Sequence, residues 1–282
     1  MVEYTDPTCP WAFSAEPNRW RLKWLYGETL HWERRMVVLS ASVREMEDKG
    51  LDPERLSSEF RDLQQRFGMP IDATERPRLV VSRPACLAVV AARLRAPEHE
   101  ETLLRRLRWH YMAGAMIDEP AVLDVAALGA GLDRDELRRW SAEPEVLSAL
   151  EQDMAAARAP SPAALALDHK LAPWSGGRRY TCPSYELSRL RDERTIAIPG
   201  YQPLAVCEVV VANLCPDLQR REDPESVREV LAWAGEPLAT VEVATVAGLD
   251  VDRARTELAH FAHFQPIGPD GYWALQAPDA AA

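Results

Sequence analysis

Two patterns of hydrophobic residues divide the chain. Short apolar runs typical of strands lie at residues 2–4, 30–39, 179–187 and 194–198. Apolar residues at helical spacing fill most of the region 52–170 and recur at 202–214. The pattern predicts an α/β fold: a first strand, a helix and a second strand precede a long helical region, and a hairpin and a further helix follow it.

The long helical region carries clear start and stop signals. Proline in the first turn of a helix leaves no hydrogen bond unmade, because the N–H groups there have no intrahelical partner. Such starts are predicted at Pro53, Pro84, Pro120 and Pro144. Prolines and glycines then interrupt the helical pattern between residues 158 and 179. We expect this break to mark the return from a helical insertion to the α/β core.

One cysteine stands where the first strand meets the first helix. Cys9 is followed by Pro10, so the cysteine is predicted at the N-cap of that helix. Free N–H groups and the partial positive charge of a helix N-terminus favour the thiolate, which is the reactive form of cysteine. The turn therefore predicts an activated thiol, although a lone cysteine is more often a small buried hydrophobe.

A second cysteine–proline pair precedes the predicted hairpin. Cys182 and Pro183 stand at the mouth of its first strand, and residues 188–193 form a polar turn between the two strands. The local sequence alone predicts a trans bond before Pro183, because most X-Pro bonds are trans.

The order of these features resembles the thioredoxin superfamily, and specifically its DsbA-like branch. That branch has a helical domain inserted in the thioredoxin fold and includes FrnE-type proteins, kappa-class glutathione transferases and 2-hydroxychromene-2-carboxylate isomerases. The resemblance rests on Asp6-Pro7-x-Cys9-Pro10-Trp11, Ser82-Arg83-Pro84-Ala85-Cys86 and the segment 183–203. It implies a thioredoxin-fold core at 1–40 and 172–221 around an all-helical insertion at 41–171.

The resemblance also implies site residues. Cys9 matches the nucleophilic first cysteine of the family's Cys-x-x-Cys motif. Pro183 matches the family's cis-proline, so the resemblance implies a cis bond there and places Cys182 near Cys9. Cys9 and Cys182 are therefore the candidate catalytic residues. The candidate substrate-binding residues are Pro10, Trp11, Ala12, Pro183 and Trp174, the last of which either covers the groove or packs within its own loop.

Ala12 departs from the family's pattern, because the family has its second cysteine there. A dithiol oxidoreductase resolves its mixed disulfide with that second sulfur. Three options remain open: monothiol chemistry with a small thiol, a resolving cysteine elsewhere, or loss of redox activity.

Cys182 keeps the second option open. If it lies near Cys9, the two sulfurs can form a disulfide or bind a soft metal ion such as Cu(I) or Zn(II); the alternative is a strand residue packed against the helix. A metal site normally needs more ligands, and no Cys-x-x-Cys or His-x-x-x-His spacing supplies them. We therefore predict no metal site, and keep a Cys9–Cys182 soft-metal site only as an alternative.

Composition and charge limit the cellular compartments and the classes of partner that are expected for this protein. Hydrophobic residues make up 47% of the 282 residues, and no run approaches the roughly 18 apolar residues of a membrane span. No signal-peptide pattern is found, and the five cysteines show no paired spacing. A net charge of −11 repels nucleic-acid backbones and anionic membranes. We expect a cytoplasmic protein that binds neither nucleic acid nor membrane.

Residues 222–282 are predicted to form a further module. Three helical stretches and a hairpin at 264–275 resemble a winged-helix module, which often binds DNA through its third helix. Acidic residues outnumber its basic residues, Arg228, Arg253 and Arg255, so the basic footprint of a DNA-binding domain is missing. We interpret the module as a packing or protein-interaction unit.

The leading hypothesis is monothiol chemistry at Cys9. It is either thiol–disulfide exchange with a small thiol, a disulfide or a protein, or a glutathione-dependent transferase or isomerase reaction. No cofactor is established by the sequence, and glutathione or another low-molecular-weight thiol is the candidate. The alternatives are an adaptor that binds a protein partner through its C-terminal module, with Cys9 vestigial or sensing oxidation, and the soft-metal site at Cys9 and Cys182.

Overall fold

The computed structural model describes residues 1–275, apart from the Glu28 side chain, so the end of the predicted C-terminal module (276–282) lies outside the described residues. The strands are β1 (Val2–Thr5), β2 (Glu33–Met36), β3 (Ala172–Trp174), β4 (Gly177–Arg179), β5 (Ser184–Arg189), β6 (Arg194–Ile198), β7 (Leu238–Ala239), β8 (Ala262–Ile267) and β9 (Asp270–Leu275). The helices are α1 (Pro10–Ser14), α2 (Glu16–Tyr26), α3 (Val43–Asp48), α4 (Pro53–Phe67), α5 (Arg83–Arg95), α6 (Glu100–Met112), α7 (Pro120–Gly129), α8 (Arg134–Ser141), α9 (Pro144–Ala157), α10 (Pro162–Leu165), α11 (Leu204–Leu214), α12 (Val227–Ala234), α13 (Thr240–Ala247) and α14 (Val251–Leu258).

The central sheet joins strands from both sides of the helical region. Its order is β2-β1-β5-β6, with β1 parallel to β2 and antiparallel to β5. The predicted hairpin is β5–β6. Because β5 runs against β1, Ser184 at the start of β5 lies opposite Tyr4 near the end of β1. This register brings the segment before β5 to the turn that follows β1.

The region between β2 and β3 is helical, as predicted, and α5 lies at its centre. Helices α6, α8 and α9 all pack against α5. The helical spacing places Cys86 on the apolar side of its helix and so predicts a core residue. In α5 it is fully buried in the apolar core of this region. The prolines predicted to start helices stand in the first turns of α4, α5, α7 and α9.

Two boundaries and one connection differ from the sequence-based prediction. The second strand is confined to Glu33–Met36. The sequence pattern that begins at Glu100 predicts a helix to Met116. The helix, α6, ends instead at Met112, and Gly114 follows with a φ of 97°, which glycine adopts without a steric penalty. The break at 158–179 contains a hairpin, β3–β4, that the sequence did not predict. Its strands have three residues each, which is too short for a periodic signal.

The C-terminal elements share a core with the rest of the molecule. The three predicted helices are α12, α13 and α14, and the predicted hairpin β8–β9 is joined by β7 in a sheet of order β7-β9-β8. Helix α13 packs against α2, and one apolar cluster contains residues of both parts, among them Trp24 and Trp273. The comparison with a winged-helix module stays a prediction. None of the helices described in residues 1–275 is long and apolar enough to cross a membrane.

Candidate active site

The turn after β1 presents Cys9 at the start of α1. Cys9 is the N-cap residue, with Pro10 in the first helical turn, and the N–H of Ala12 donates to Cys9 Sγ at 3.4 Å. An N-cap side chain in this position satisfies a helix N–H that has no backbone partner. The turn thus supplies the N–H donor that the sequence predicted for the thiol.

The segment before β5 meets this turn. Cys9 Sγ lies 3.4 Å from the backbone carbonyl oxygen of Cys182, to which the Cys9 thiol donates. The bond between Cys182 and Pro183 is cis. Ser184 holds the segment in place: its hydroxyl donates to the Thr181 carbonyl at 2.7 Å and accepts from the Gly200 N–H at 3.0 Å. Two cysteines 173 residues apart in sequence are therefore neighbours, as the resemblance implied.

The two thiols differ in acidity. Burial opposes ionisation of Cys9, but hydrogen bonds from the Cys182 side chain and from the backbone of Ala12 and Trp11 outweigh it and lower the pKa of Cys9 below its ordinary value. Burial raises the pKa of Cys182 well above its ordinary value, and the neighbouring Cys9 raises it further. The pair therefore has one thiol prepared to ionise and one that holds its proton.

Ala12, which stands where the family has its second cysteine, is buried. Ala12 is 2% exposed and packs in the same apolar cluster as Cys9 and Cys182. Its side chain is a methyl group, so its contribution to the site is the backbone N–H that reaches Cys9 Sγ. Cys182 is the cysteine whose backbone carbonyl Cys9 contacts, and its side chain is also a hydrogen-bond partner of the Cys9 thiol.

Trp11 forms part of an aromatic rim beside the turn. Its ring is 38% exposed and meets Phe67 at 5.7 Å and Tyr201 at 5.9 Å between ring centroids. The Arg66 guanidinium lies 5.7 Å from the Trp11 ring centroid. Helix α4 ends directly after Phe67, where Gly68 takes the left-handed conformation that glycine favours. The rim offers apolar surface next to the Cys9 turn and one cation, Arg66, over the Trp11 ring.

The sequence did not assign Phe67 and Tyr201 to the site. Phe67 lies near the end of α4 and Tyr201 follows β6, so each is far from Cys9 in sequence. The available signal was Trp11 itself, since aromatic rings form favourable pairs with one another. The partners themselves depend on the packing of α4 against α1.

Trp174 lies in the β3–β4 hairpin. Its indole N–H donates to the Arg178 carbonyl at 3.1 Å, and the Arg158 guanidinium lies 5.0 Å from its ring centroid. The ring also lies directly over Gly176, where any side chain would collide with it. These contacts favour the packing alternative for Trp174, and a role over the groove stays a prediction.

The soft-metal alternative would need ligands in addition to Cys9 and Cys182. Within residues 1–275 there is no group of three or more His, Cys, Asp or Glu side chains arranged to hold a metal ion. Cys9 and Cys182 would have to hold a soft metal as a pair, which is fewer ligands than structural sites use.

The sequence and the fold both have known counterparts. The thioredoxin family model matches residues 3–160, which is more than half of the chain. No curated protein matches the sequence closely enough to serve as a relative.

Three solved structures have the same fold. A candidate protein disulfide isomerase from Nitrosomonas europaea has a TM-score of 0.55 at 13% identity, covering 75% of this chain and 95% of its own. The cytosolic disulfide reductase DsbM from Pseudomonas aeruginosa has a TM-score of 0.51 at 18% identity, covering 75% and 98%. A probable DsbA oxidoreductase from Streptomyces coelicolor has a TM-score of 0.52 at 15% identity, covering 78% and 92%. At these identities the likeness shows the fold alone.

Proposed function

The chain belongs to the thioredoxin family, and on that premise we propose that it catalyses thiol–disulfide exchange with Cys9 as the nucleophile. The observation that carries the proposal is the contact of Cys9 Sγ, at the N-cap of α1, with the carbonyl of Cys182 before Pro183. The names of the structural neighbours DsbM and the candidate disulfide isomerase are consistent with it.

The first step forms a mixed disulfide. The Cys9 thiolate attacks one sulfur of a substrate disulfide; the Cys9–substrate S–S bond forms as the substrate S–S bond breaks, and the other half leaves as a thiolate that takes up a proton. The N–H of Ala12 and the Cys182 thiol stabilise the Cys9 thiolate before attack. A lowered pKa increases the thiolate fraction at neutral pH.

The second step uses Cys182. Its thiol must lose a proton to attack Cys9 Sγ, which forms a Cys9–Cys182 disulfide and releases the second half of the substrate as a thiol. The negative charge of Cys9 is one of the causes that hold the pKa of Cys182 high. In the mixed disulfide that charge is gone, so Cys182 ionises more easily at the moment when its attack is needed.

A low-molecular-weight thiol such as glutathione closes the cycle. Two thiol molecules reduce the Cys9–Cys182 disulfide to two thiols and are themselves joined as a disulfide, so electrons balance over the cycle. The same thiol can resolve the mixed disulfide directly if Cys182 does not, which is the monothiol version. Both versions need a reducing compartment, and we therefore propose the cytoplasm as the location.

Trp11 and Pro183 are the proposed substrate contacts. Trp11 is the exposed member of the aromatic rim, and Pro183 follows the residue whose carbonyl Cys9 contacts. Pro10 and Ala12 contribute backbone geometry and the donor N–H rather than exposed surface. A disulfide-bearing substrate would lie between the rim and the turn before β5, with one sulfur at Cys9.

The test adds one equivalent of a disulfide between glutathione and a second small thiol to the full reduced chain. Mass mapping then identifies which cysteines carry a crosslink or a glutathione adduct. We expect a Cys9–Cys182 crosslink in the unmodified chain, and a stable glutathione adduct on Cys9 in Cys182→Ser, because the resolving sulfur is absent. Cys215→Ser is the matched control, since Cys215 is a half-exposed free cysteine in the segment after α11. It should behave as the unmodified chain.

Other outcomes discriminate between versions of the proposal. A glutathione adduct on Cys9 in the unmodified chain, without a crosslink, would support external resolution and overturn the role of Cys182. An unmodified Cys9 under every oxidant would overturn the exchange reaction and leave the adaptor hypothesis. The isomerase or transferase reaction and a protein partner for the C-terminal module stay predictions.

A further inference from the structure

A buried carboxylate lies in the Cys9 turn with neutral donors around it. Asp6 is fully buried and stands three residues before Cys9. The contacts of its carboxylate within residues 1–275 are with Thr8, Leu39 and Cys86, none of which carries a positive charge. Burying a carboxylate charge without a neighbouring cation costs free energy unless several hydrogen bonds satisfy it. The donors around Asp6 are therefore what allows the charge to be buried.

Each carboxylate oxygen of Asp6 accepts two contacts. Oδ1 accepts the Thr8 N–H at 2.8 Å and the Thr8 hydroxyl at 2.7 Å. Oδ2 accepts the Leu39 N–H at 2.8 Å and the Cys86 thiol at 3.6 Å. All four groups are donors, and an ionised carboxylate accepts hydrogen bonds without donating any. The surroundings of Asp6 therefore fit the charged form.

These contacts join three segments at the active-site turn. Thr8 belongs to the turn itself, Leu39 follows β2, and Cys86 lies in the first turn of α5. The backbone carbonyl of Asp6 also accepts the N–H of Cys9 at 3.2 Å. Asp6 thus fixes the backbone of Cys9 on one side and the start of the helical region on the other.

The charge of Asp6 acts on the thiol. It raises the pKa of Cys9, against the hydrogen bonds that lower it. Burial is the largest cause that raises the pKa of Cys182 and the pKa of Tyr111, the latter to about 12, and the charge of Asp6 contributes to both. Within residues 1–275, the titratable groups linked to Cys9 or to the Asp6 carboxylate include Asp6 itself, Cys182 from the segment before β5, Tyr111 from α6 and Cys86 from α5. Two cations act on these neighbours and lower their pKa: Arg179 on Cys182 and Arg76 on Tyr111.

We propose that Asp6 is a positioning residue for Cys9: it fixes the turn that presents the thiol, and its unpaired negative charge limits how far that thiol ionises. The inference rests on the proposed role of Cys9 as the nucleophile. A thiolate that is stabilised too strongly is a weaker nucleophile, and stabilising the reduced form makes a dithiol pair more oxidising. Asp6 therefore keeps Cys9 reactive and biases the pair toward reduction of substrate disulfides.

The test is the pH profile of Cys9 alkylation by iodoacetamide in the full chain, with the label assigned to Cys9 by mass mapping. Asp6→Asn removes the charge at nearly constant volume. We expect its alkylation midpoint to move to lower pH, so that labelling at mildly acidic pH becomes several-fold faster than in the unmodified chain.

Two further substitutions separate charge from structure. Asp153→Asn is the matched control: Asp153 is also fully buried, but it is paired with Arg35 and Arg93. It should lose stability and keep the Cys9 midpoint. Thr8→Val removes one donor and leaves the charge of Asp6 less compensated, so its midpoint should move to higher pH, while Thr8→Ser should keep the original midpoint.

An Asp6→Asn midpoint equal to or above that of the unmodified chain would overturn the proposal. If Asp6→Asn does not fold, the Thr8→Val variant decides: an alkylation profile of Cys9 equal to that of the unmodified chain would overturn the proposal. Alkylation reports ionisation of Cys9 whatever disulfide the protein acts on. Failure of this test therefore leaves the exchange assay standing, and failure of the exchange assay does not change the alkylation profile.

Discussion

Two buried regions of the molecule stabilise their charges differently: one is the Cys9 turn, and the other is a cluster of ion pairs that we call the charged junction. The charged junction consists of Glu16, Arg19, Arg105, Arg108 and Glu242, all nearly fully buried. There each charge meets an opposite charge: Arg105 contacts both oxygens of Glu242 at 2.7 and 2.8 Å, and Glu16 contacts three arginines. At the Cys9 turn, the donors found within residues 1–275 to the Asp6 carboxylate and to Cys9 Sγ are neutral.

The difference follows from what each region does. Full pairing holds an ion in one protonation state: burial opposes ionisation of Glu16, but Arg19, Arg108 and Arg105 lower its pKa to about 2. The charged junction therefore stays ionised and fixes α2, α6 and α13 relative to one another. A nucleophile must change its charge during a reaction, so neutral donors, which stabilise it less than a cation would, suit the Cys9 turn.

The largest effect is expected from Cys9→Ser. Exchange activity should fall by several orders of magnitude to the uncatalysed background, because a serine hydroxyl remains protonated at neutral pH and is a poor nucleophile for sulfur. Reduction of a glutathione mixed disulfide under steady-state conditions is the measurement. The unfolding transition should be little changed, and activity retained in the variant would place the nucleophile elsewhere.

Breaking the charged junction should affect stability instead of chemistry. Arg105→Met leaves the Glu242 carboxylate buried without its bidentate partner, and removing one member of a buried pair costs about 3–5 kcal/mol. Urea unfolding measures the loss. Below the transition the folded variant should retain the alkylation profile of Cys9. A shift in that profile would show that the two regions are coupled and would break the comparison.

Cys207 tests whether burial alone gives a thiol the properties of Cys9. Burial, with a smaller contribution from the neighbouring Glu208, raises the pKa of Cys207 in α11 to about 11 from an ordinary value of 9.0. Between these two pH values the unfolded chain loses this proton while the folded chain keeps it. The free energy of unfolding should therefore fall as the pH rises from 9 to 11, by up to about 2–3 kcal/mol from this group.

Urea unfolding at several pH values gives the measurement, with Cys207→Ala as the comparison. The variant should lose stability at neutral pH and show a shallower decline above pH 9. An unchanged slope in the variant would mean that Cys207 ionises at its ordinary value when folded. In that case burial in this fold would not suppress thiolate formation, and the donors around Cys9 would lower its pKa without having to offset burial.

The smallest effect is expected at an exposed pair. Arg253 and Glu257 form an ion pair at 2.9 Å on α14, with 63% and 37% of their side chains exposed. Such a pair at i and i+4 contributes about 0.3–0.5 kcal/mol. Arg253→Gln should therefore change the urea midpoint barely measurably. A loss comparable to that of Arg105→Met would show that pairing, and not burial, determines the contribution of ions in this protein.

The sequence by itself determined the local parts of the site. Cys9 before Pro10 defined an N-cap thiol, and the alternation of strand-like and helix-like patterns predicted the order β1, α1, β2, helices, hairpin and α11. These features depend on residues close in sequence, where periodicity, proline and capping act directly. The resemblance to the DsbA-like branch then supplied the approach of Cys182 to Cys9 and the cis bond before Pro183, which local sequence did not favour.

Only the tertiary structure decided the surroundings of the thiol. Asp6 was visible as part of a motif, but its partners Leu39 and Cys86 come from a loop and a helix whose approach depends on how α5 packs against the sheet. The aromatic rim around Trp11 and the pairing of Arg105 with Glu242 are of the same kind. Such contacts form between segments that are distant in sequence, and the hydrophobic pattern is the same whether or not their polar groups find one another.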